Sequence, residues 1–215
     1  MKRQLSAIAL GISLAYFALP ASADSINSTA SVDQTGLGNT AFVLQSNVAD
    51  SSVAIDQVGD SNTANSTQQF GADMIATIDQ SGGNSNFGST NQVGDGQVAK
   101  IVQVGSSNGG WVDQGGGINN YGDIRQVGTS NNATVQQRGN TNSAWVDQGG
   151  LNNVALANQA GDLNSITAQQ RGNLNTTLAS QVGNNNQALT YQAGNFNSIN
   201  LNQTGNANNA NITQN

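Results

Sequence analysis

Along most of this chain apolar and polar positions alternate with a period of two, in runs of about seven residues broken by short Gly- and Asn-rich stretches. Residues 126–148 read QVGTSNNATVQQRGNTNSAWVDQ and state one pattern twice, Q-x-G-x-x-N-x-A-x-x-x-Q and again from the last Gln. Asn131, Ala133, Val135 and Gln137 stand at i, i+2, i+4 and i+6, as do Asn142, Ala144, Val146 and Gln148. On a β-strand these four share a face, whereas a helix would scatter them around its axis. The spacing therefore predicts strands whose inner row runs Asn, Ala, apolar, Gln, with free and mostly polar residues facing outward, Asn184 and Leu189 among them.

The pattern recurs along almost the whole chain. Anchor residues are Gln34, Gln45, Gln57, Gln68 or Gln69, Gln80, Gln92, Gln103, Gln114, Gln126, Gln137, Gln148, Gln159, Gln170, Gln181, Gln192, Gln203 and Gln214, a spacing of eleven with an occasional twelve. These bound sixteen consecutive arcs. Six residues before the closing Gln stands Asn in thirteen arcs, among them Asn39, Asn62, Asn108, Asn131, Asn142, Asn153, Asn164, Asn175, Asn186, Asn197 and Asn208. Met74 and Gln97 occupy that station where Asn is expected. Two residues after the anchor comes Gly, at Gly36, Gly59, Gly105, Gly128, Gly139, Gly150, Gly161, Gly172, Gly183, Gly194 and Gly205. Gly accepts the positive φ of a tight turn, so each arc is turn plus strand. After Gln45 the turn instead reads Ser46-Asn47.

A lone strand cannot bury its inner face, so the arcs must stack. The expected fold is all-β: a β-solenoid (β-helix) with two strands per coil, about eight coils from the sixteen 11-residue arcs, over residues 34–215. At about 4.8 Å per strand the stack is roughly 38 Å tall. Inward Asn and Gln amides then need partners, and identical amides one coil above and below can pair in ladders along the axis. A buried polar group left unpaired costs about 1–3 kcal/mol, more than the net gain from one bond, so the ladders penalise slipped register.

Composition alone points elsewhere. Hydrophobic residues make up 36% and charged residues 8% of the chain, which ordinarily predicts disorder; a strict repeat overrides that prior. The N-terminus is a separate object. MKRQ is followed by an apolar run from Leu5 to Leu19, too short to favour a membrane span, and by the small-x-small triplet Ala21-Ser22-Ala23. Residues 1–23 read as a secretory signal peptide, with 24–33 a short segment ahead of the repeats. Its removal leaves four basic residues against twelve acidic, all Asp, a net of −8. That balance argues against nucleic acid as a partner.

The repeat resembles the curlin repeat of curli, the extracellular functional-amyloid fibres of Gram-negative bacteria, from Gln34 to Gln214. The resemblance implies a fibre subunit that polymerises with itself and with another curli subunit. It also implies export through the periplasm and a dedicated outer-membrane pore with accessory factors, and a place in cell-surface biofilm matrix and adhesion. Two departures bear on subunit type. Only DSINSTASVD precedes Gln34, where the major subunit carries a Gly-rich export segment. Asn fills nearly every inward station, which leans toward the minor, nucleating subunit, yet the last arc, NANNANITQ, is regular where the known nucleator is basic and degenerate.

Catalytic chemistry has little to work with. The chain has no His, Cys or Glu, so His-based triads and thiolate or imidazole metal ligands are absent, and no cofactor or small-molecule substrate is implied. Asp56, Asp79, Asp113 and Asp147 sit singly beside anchor Gln residues and read as solvated outward charges; Arg138 and Arg171, each in QRG, read as solvated turn charges. WVDQGG occurs twice, with Trp111 and Trp145 at an outward station three arcs apart, which in an alternating solenoid puts them on opposite faces. Carbohydrate binding through these Trp residues and ice binding through an outward Thr array are the readings from another class; the second would need a regular Thr face, and Thr is scattered.

Overall fold

In the computed structural model, which describes residues 5–10, 14–17 and 25–215, every element is a β-strand. One sheet holds the odd-numbered strands β1 (Leu5–Leu10), β3 (Thr29–Thr35), β5 (Ser52–Val58), β7 (Ile75–Ser81), β9 (Val98–Ser106), β11 (Tyr121–Thr129), β13 (Ser143–Leu151), β15 (Ser165–Asn173), β17 (Gln187–Ala193) and β19 (Asn209–Gln214). The other holds β2 (Leu14–Phe17), β4 (Thr40–Ala49), β6 (Thr63–Ala72), β8 (Phe87–Val93), β10 (Gly109–Gly115), β12 (Asn132–Arg138), β14 (Val154–Ala160), β16 (Thr176–Val182) and β18 (Ser198–Thr204). Successive strands alternate between the sheets, and each pairs in parallel with the strand two before and two after it. This is a β-solenoid of about eight turns, built by the seventeen strands β3 to β19. The stack takes in residues 29–33, because β3 begins at Thr29. Strands β1 and β2 fall in the segment expected as a signal peptide and pair with β3 and β4; the triplet Ala21-Ser22-Ala23 lies outside the described residues.

The predicted inner row is the buried row. In β12 the alternation places Ala133, Val135 and Gln137 inside with no exposure, and Asn131 just ahead of them is buried too. Ile78, Ile101 and Ile124 stack one above another in the odd sheet, each fully buried. Opposite them the even sheet keeps small residues. A Cβ added to Gly88 would stand 2.8 Å from Ile78 Cγ2, and one added to Gly110 3.0 Å from Ile101 Cγ2. The core is thus one side chain thick, and large residues on one sheet are matched by Gly or Ala on the other, as close packing requires.

The turns absorb the irregular spacing. Pairing keeps Gln opposite Gln whether the coil is 22, 23 or 24 residues long, as at Gln126 with Gln148, Gln103 with Gln126 and Gln68 with Gln92. The choice between Gln68 and Gln69 resolves to Gln68, which is buried and pairs with Gln45 and Gln92, while Gln69 faces outward. Glycine at the turn station answers two demands at once. Gly128 has φ 127°, and a Cβ there would collide with the carbonyl oxygen of Gly150 one coil on. After Gln45 and Gln68 the same station is Asn47 and Phe70, and both adopt φ 54° instead.

Candidate functional site

The anchor glutamines form two unbroken ladders. In the odd sheet Nε2 of Gln34 donates to Oε1 of Gln57, and the chain of donors runs through Gln80, Gln103, Gln126, Gln148, Gln170 and Gln192 to Gln214. In the even sheet it runs from Gln45 through Gln68, Gln92, Gln114, Gln137, Gln159 and Gln181 to Gln203. From Gln45 to Gln203 the second proton of each anchor amide reaches across to the other sheet: Nε2 of Gln126 donates to Gly109 O at 2.8 Å, and that of Gln114 to Val98 O at 2.9 Å. Each glutamine therefore binds along the axis and between the sheets, which is why no other side chain fits the station. Shorter Asn would not span both, and Glu would lack the donor.

The asparagines form a second pair of ladders with the opposite sense. Nδ2 of Asn131 donates back to Oδ1 of Asn108 at 3.2 Å and forward to Gly150 O at 2.9 Å, while its backbone N–H also donates to Asn108 Oδ1 at 3.1 Å. The Asn station thus satisfies the carbonyl of the turn glycine, and the two stations are one device. Ahead of the even strands this ladder is continuous: Asn39, Asn62, Asn86, Asn108, Asn131, Asn153, Asn175 and Asn197. Ahead of the odd strands it runs only from Asn120 through Asn142, Asn164 and Asn186 to Asn208. Before Asn120 the station holds Ser51, Met74 and Gln97, all buried. Gln97 Nε2 donates to Val93 O and Gly117 O as an Asn would, but its Oε1 has no partner. It and Gln34 Oε1 are the only buried side-chain polar atoms without a partner among the described residues.

A third ladder was not anticipated. Three residues past many anchors an Asn or Asp oxygen accepts the backbone N–H of its counterpart one coil back: Asn140 N–H donates to Asp162 Oδ1, Asp162 N–H to Asn184 Oδ1, and Asn184 N–H to Asn206 Oδ1, at 2.8, 2.9 and 2.9 Å. Only an acceptor is needed, so Asp and Asn interchange. This corrects the reading of Asn184 as a free outward residue. The recurrence of Asx at that station was the signal.

The charged residues also differ from expectation. Asp147 is 4% exposed and lies between Arg125, at 3.2 Å, and Arg171; Asp113 pairs with Arg138 at 2.6 Å. These are ion pairs rather than solvated single charges. The cause is the register. Gly115 and Arg138 each follow the paired Gln114 and Gln137 of β10 and β12, and because Gly115 has no side chain the guanidinium lies over it and reaches Asp113. Gly149 does the same for Arg171 and Asp147. Each DQGG was followed one coil later by QRG, so the pairing was legible once the coil length was known. The guanidinium groups stay about half exposed, which keeps each such pair near the 0–1 kcal/mol of surface ion pairs.

Three carboxylates without an ion pair lie side by side. Asp33, Asp56 and Asp79 stack in register on the odd sheet. Partial desolvation, then the charges of Asp79 and Asp33 on either side, push the Asp56 carboxyl above its ordinary value. Trp111 lies on the even sheet, half exposed and 6.4 Å from the Phe87 ring, and Trp145 on the odd sheet, so the two do fall on opposite faces. No three of His, Cys, Asp or Glu come together as metal ligands among the described residues.

Residues 117–150, covering β11, β12 and most of β13, match the family model of the curlin-associated repeat, which is consistent with a curlin family protein. No curated protein matches the chain.

Proposed function

We propose that this chain is a structural, non-enzymatic subunit of an extracellular curli-type amyloid fibre, assembled by adding one solenoid to the open edge of another. The observation that supports this most is the unbroken, in-register amide ladder: every coil offers the next the same backbone edge, glutamine donor and asparagine acceptor that it receives from the one before. A second copy is therefore a ready partner for any exposed coil edge, and completing a ladder removes the cost of half-made buried amides. Natural sheets usually blunt their edges with Pro, Lys or bulges. Here the only Pro is Pro20 and the only Lys of the repeats is Lys100.

The ladders also set direction. Along the ladders the glutamine amides donate to the glutamine one coil nearer the C-terminus, whereas each asparagine past the first of its ladder donates to Oδ1 of the asparagine one coil nearer the N-terminus, its Nδ2 also reaching forward to a turn carbonyl. Copies joined head to tail continue both ladders; copies joined head to head would set donor against donor. Gln34 Oε1, which accepts no hydrogen bond, is the acceptor such an added copy would meet once residues 1–23, whose strand β1 pairs with β3, are removed. The reading carries with it a signal peptide over residues 1–23, export through an outer-membrane secretion pore, a second curli subunit as partner, and a role in biofilm matrix and adhesion.

The test is the mature protein, residues 24–215, purified and left without any cofactor. It should form dye-binding fibres whose diffraction shows the strand spacing of about 4.8 Å along the fibre axis. Fibres lacking that axial reflection would end the stacking mechanism. Thermal hysteresis from a chain that stays soluble would favour the ice-binding alternative instead.

A further inference from the structure

We infer that the outward face of the even-numbered sheet is where a second filament of the same chain packs, side by side with the first. The inference rests on the fibre reading for its setting, and on the distribution of charge for its substance. Apolarity does not separate the two outward faces. The even face exposes Phe87, Trp111, Val154 and Leu178, and the odd face exposes Ile75, Tyr121 and Leu189 to similar degrees. Charge separates them. The odd face carries Asp33, Asp56, Asp79 and Asp123 against Lys100 and Arg125, besides the Asp147 and Arg171 pair. Across β4 to β18 the even strands turn only two charged side chains outward, Asp113 and Arg138, and these neutralise each other at 2.6 Å.

Two odd faces brought together would bury a column of three unpaired carboxylates against another column of the same sign. Removing such charges from water costs several kcal/mol each unless they are paired. Two even faces bring together hydroxyls, amides, apolar side chains and one ion pair that is already closed. The size also fits. Eight strands with about seven residues each present roughly 900 Å² per copy, close to the ~800 Å² per partner of a stable protein interface. Because the contact joins like to like, it closes on itself, and the charged odd faces remain outside. Filaments should therefore pair and stop at two rather than grow into sheets.

Leu178 and Leu189 make a matched test. They occupy the same station in neighbouring arcs, each is 39% exposed, and they lie on opposite faces. Filament width is read by negative-stain electron microscopy on the mature wild type, Leu178→Lys and Leu189→Lys, with Trp111→Lys as a second even-face variant. Wild-type and Leu189→Lys filaments should be paired. Either even-face variant should reduce the paired fraction at least about tenfold, since like charges set opposite each other across an interface cost several kcal/mol. Mixing Leu178→Lys filaments with Leu178→Asp filaments should restore pairing. Single wild-type filaments, unpairing by Leu189→Lys, or pairing that survives both even-face variants overturns the inference. Should no fibres form, the fibre reading fails separately, and sedimentation of the soluble chain decides this one: a dimer lost with Leu178→Lys sustains it, and a wild-type monomer ends it.

Discussion

The coils before Gln103 and those after Gln126 follow one repeat yet are held by different numbers of ladders. In the later coils both Asn ladders are continuous, coil length settles at 22 residues, and the turn station is glycine throughout. In the earlier coils the Asn ladder ahead of the odd strands is replaced by Ser51, Met74 and Gln97, coil length varies between 23 and 24, and Asn47 and Phe70 replace turn glycines. The uncompensated column Asp33, Asp56 and Asp79 also lies there, whereas from Leu163 to Asn215 the only charged side chain is Arg171. The glutamine ladders run unchanged through both regions. The difference shows that glutamine holds the register while asparagine and glycine set how tightly each turn is tied to the next. The two functions can be relaxed separately.

The largest effect should come from turn glycines where the stack is regular. Gly183→Ala puts a Cβ into the carbonyl oxygen of Gly205, at φ 116°, and strain plus overpacking should cost about 4 kcal/mol. Gly38→Ala in the early coils meets only Ser61 Oγ at 3.6 Å and should cost about 1–2 kcal/mol, the price of a left-handed L-residue. Chemical denaturation of the soluble solenoid compares them; equal losses would show that conformation alone, and not stacking, selects glycine.

Next in size is Asn186→Ala. It leaves Asn208 without its acceptor and Gly205 O without its donor, and should cost about 2–4 kcal/mol and slow assembly, while outward Leu189→Ala changes either by little. Equal assembly rates for the two would refute the inward assignment. Gln97→Asn works in the opposite direction. It should remove the unpartnered oxygen and give Asn120 an acceptor, stabilising the early coils by about 1 kcal/mol in the same denaturation assay. A loss of stability there would mean that the longer side chain fills space an Asn cannot.

The smallest effects concern charge. Because the Asp56 carboxyl is raised in the folded chain, the folded state holds more protons than the unfolded one between the unfolded value, near 3.8, and the raised value. Stability should therefore fall as pH rises through that window, and be greatest below it. Asp56→Asn should flatten that dependence, and a slope unchanged in Asp56→Asn would place its origin elsewhere. The same contrast orders nucleation. Of peptides 170–215 and 34–80 at equal concentration, the C-terminal one, whose only charged side chain is Arg171, should bind dye first; the reverse order would rule out charge as what sets the starting point.

What the sequence determined by itself is the part written in periodic stations. Strand direction of side chains, the inward Asn, Ala, apolar and Gln row, the turn glycines and the alternation of faces all follow from a period of two within a period of eleven. Every one of these is a relation between residues near in the chain. What only the tertiary structure decided are relations between residues one coil apart, where a shift of one residue changes every partner. Gln68 rather than Gln69 turned inward because Gln45 and Gln92 pair with it across the coils. Arg138 and Arg171 found Asp113 and Asp147 because glycines lie opposite them. The opposed donor directions of glutamine and asparagine depend on amide rotations that local sequence leaves free, and that the neighbouring coil fixes by offering an acceptor on one side and a donor on the other.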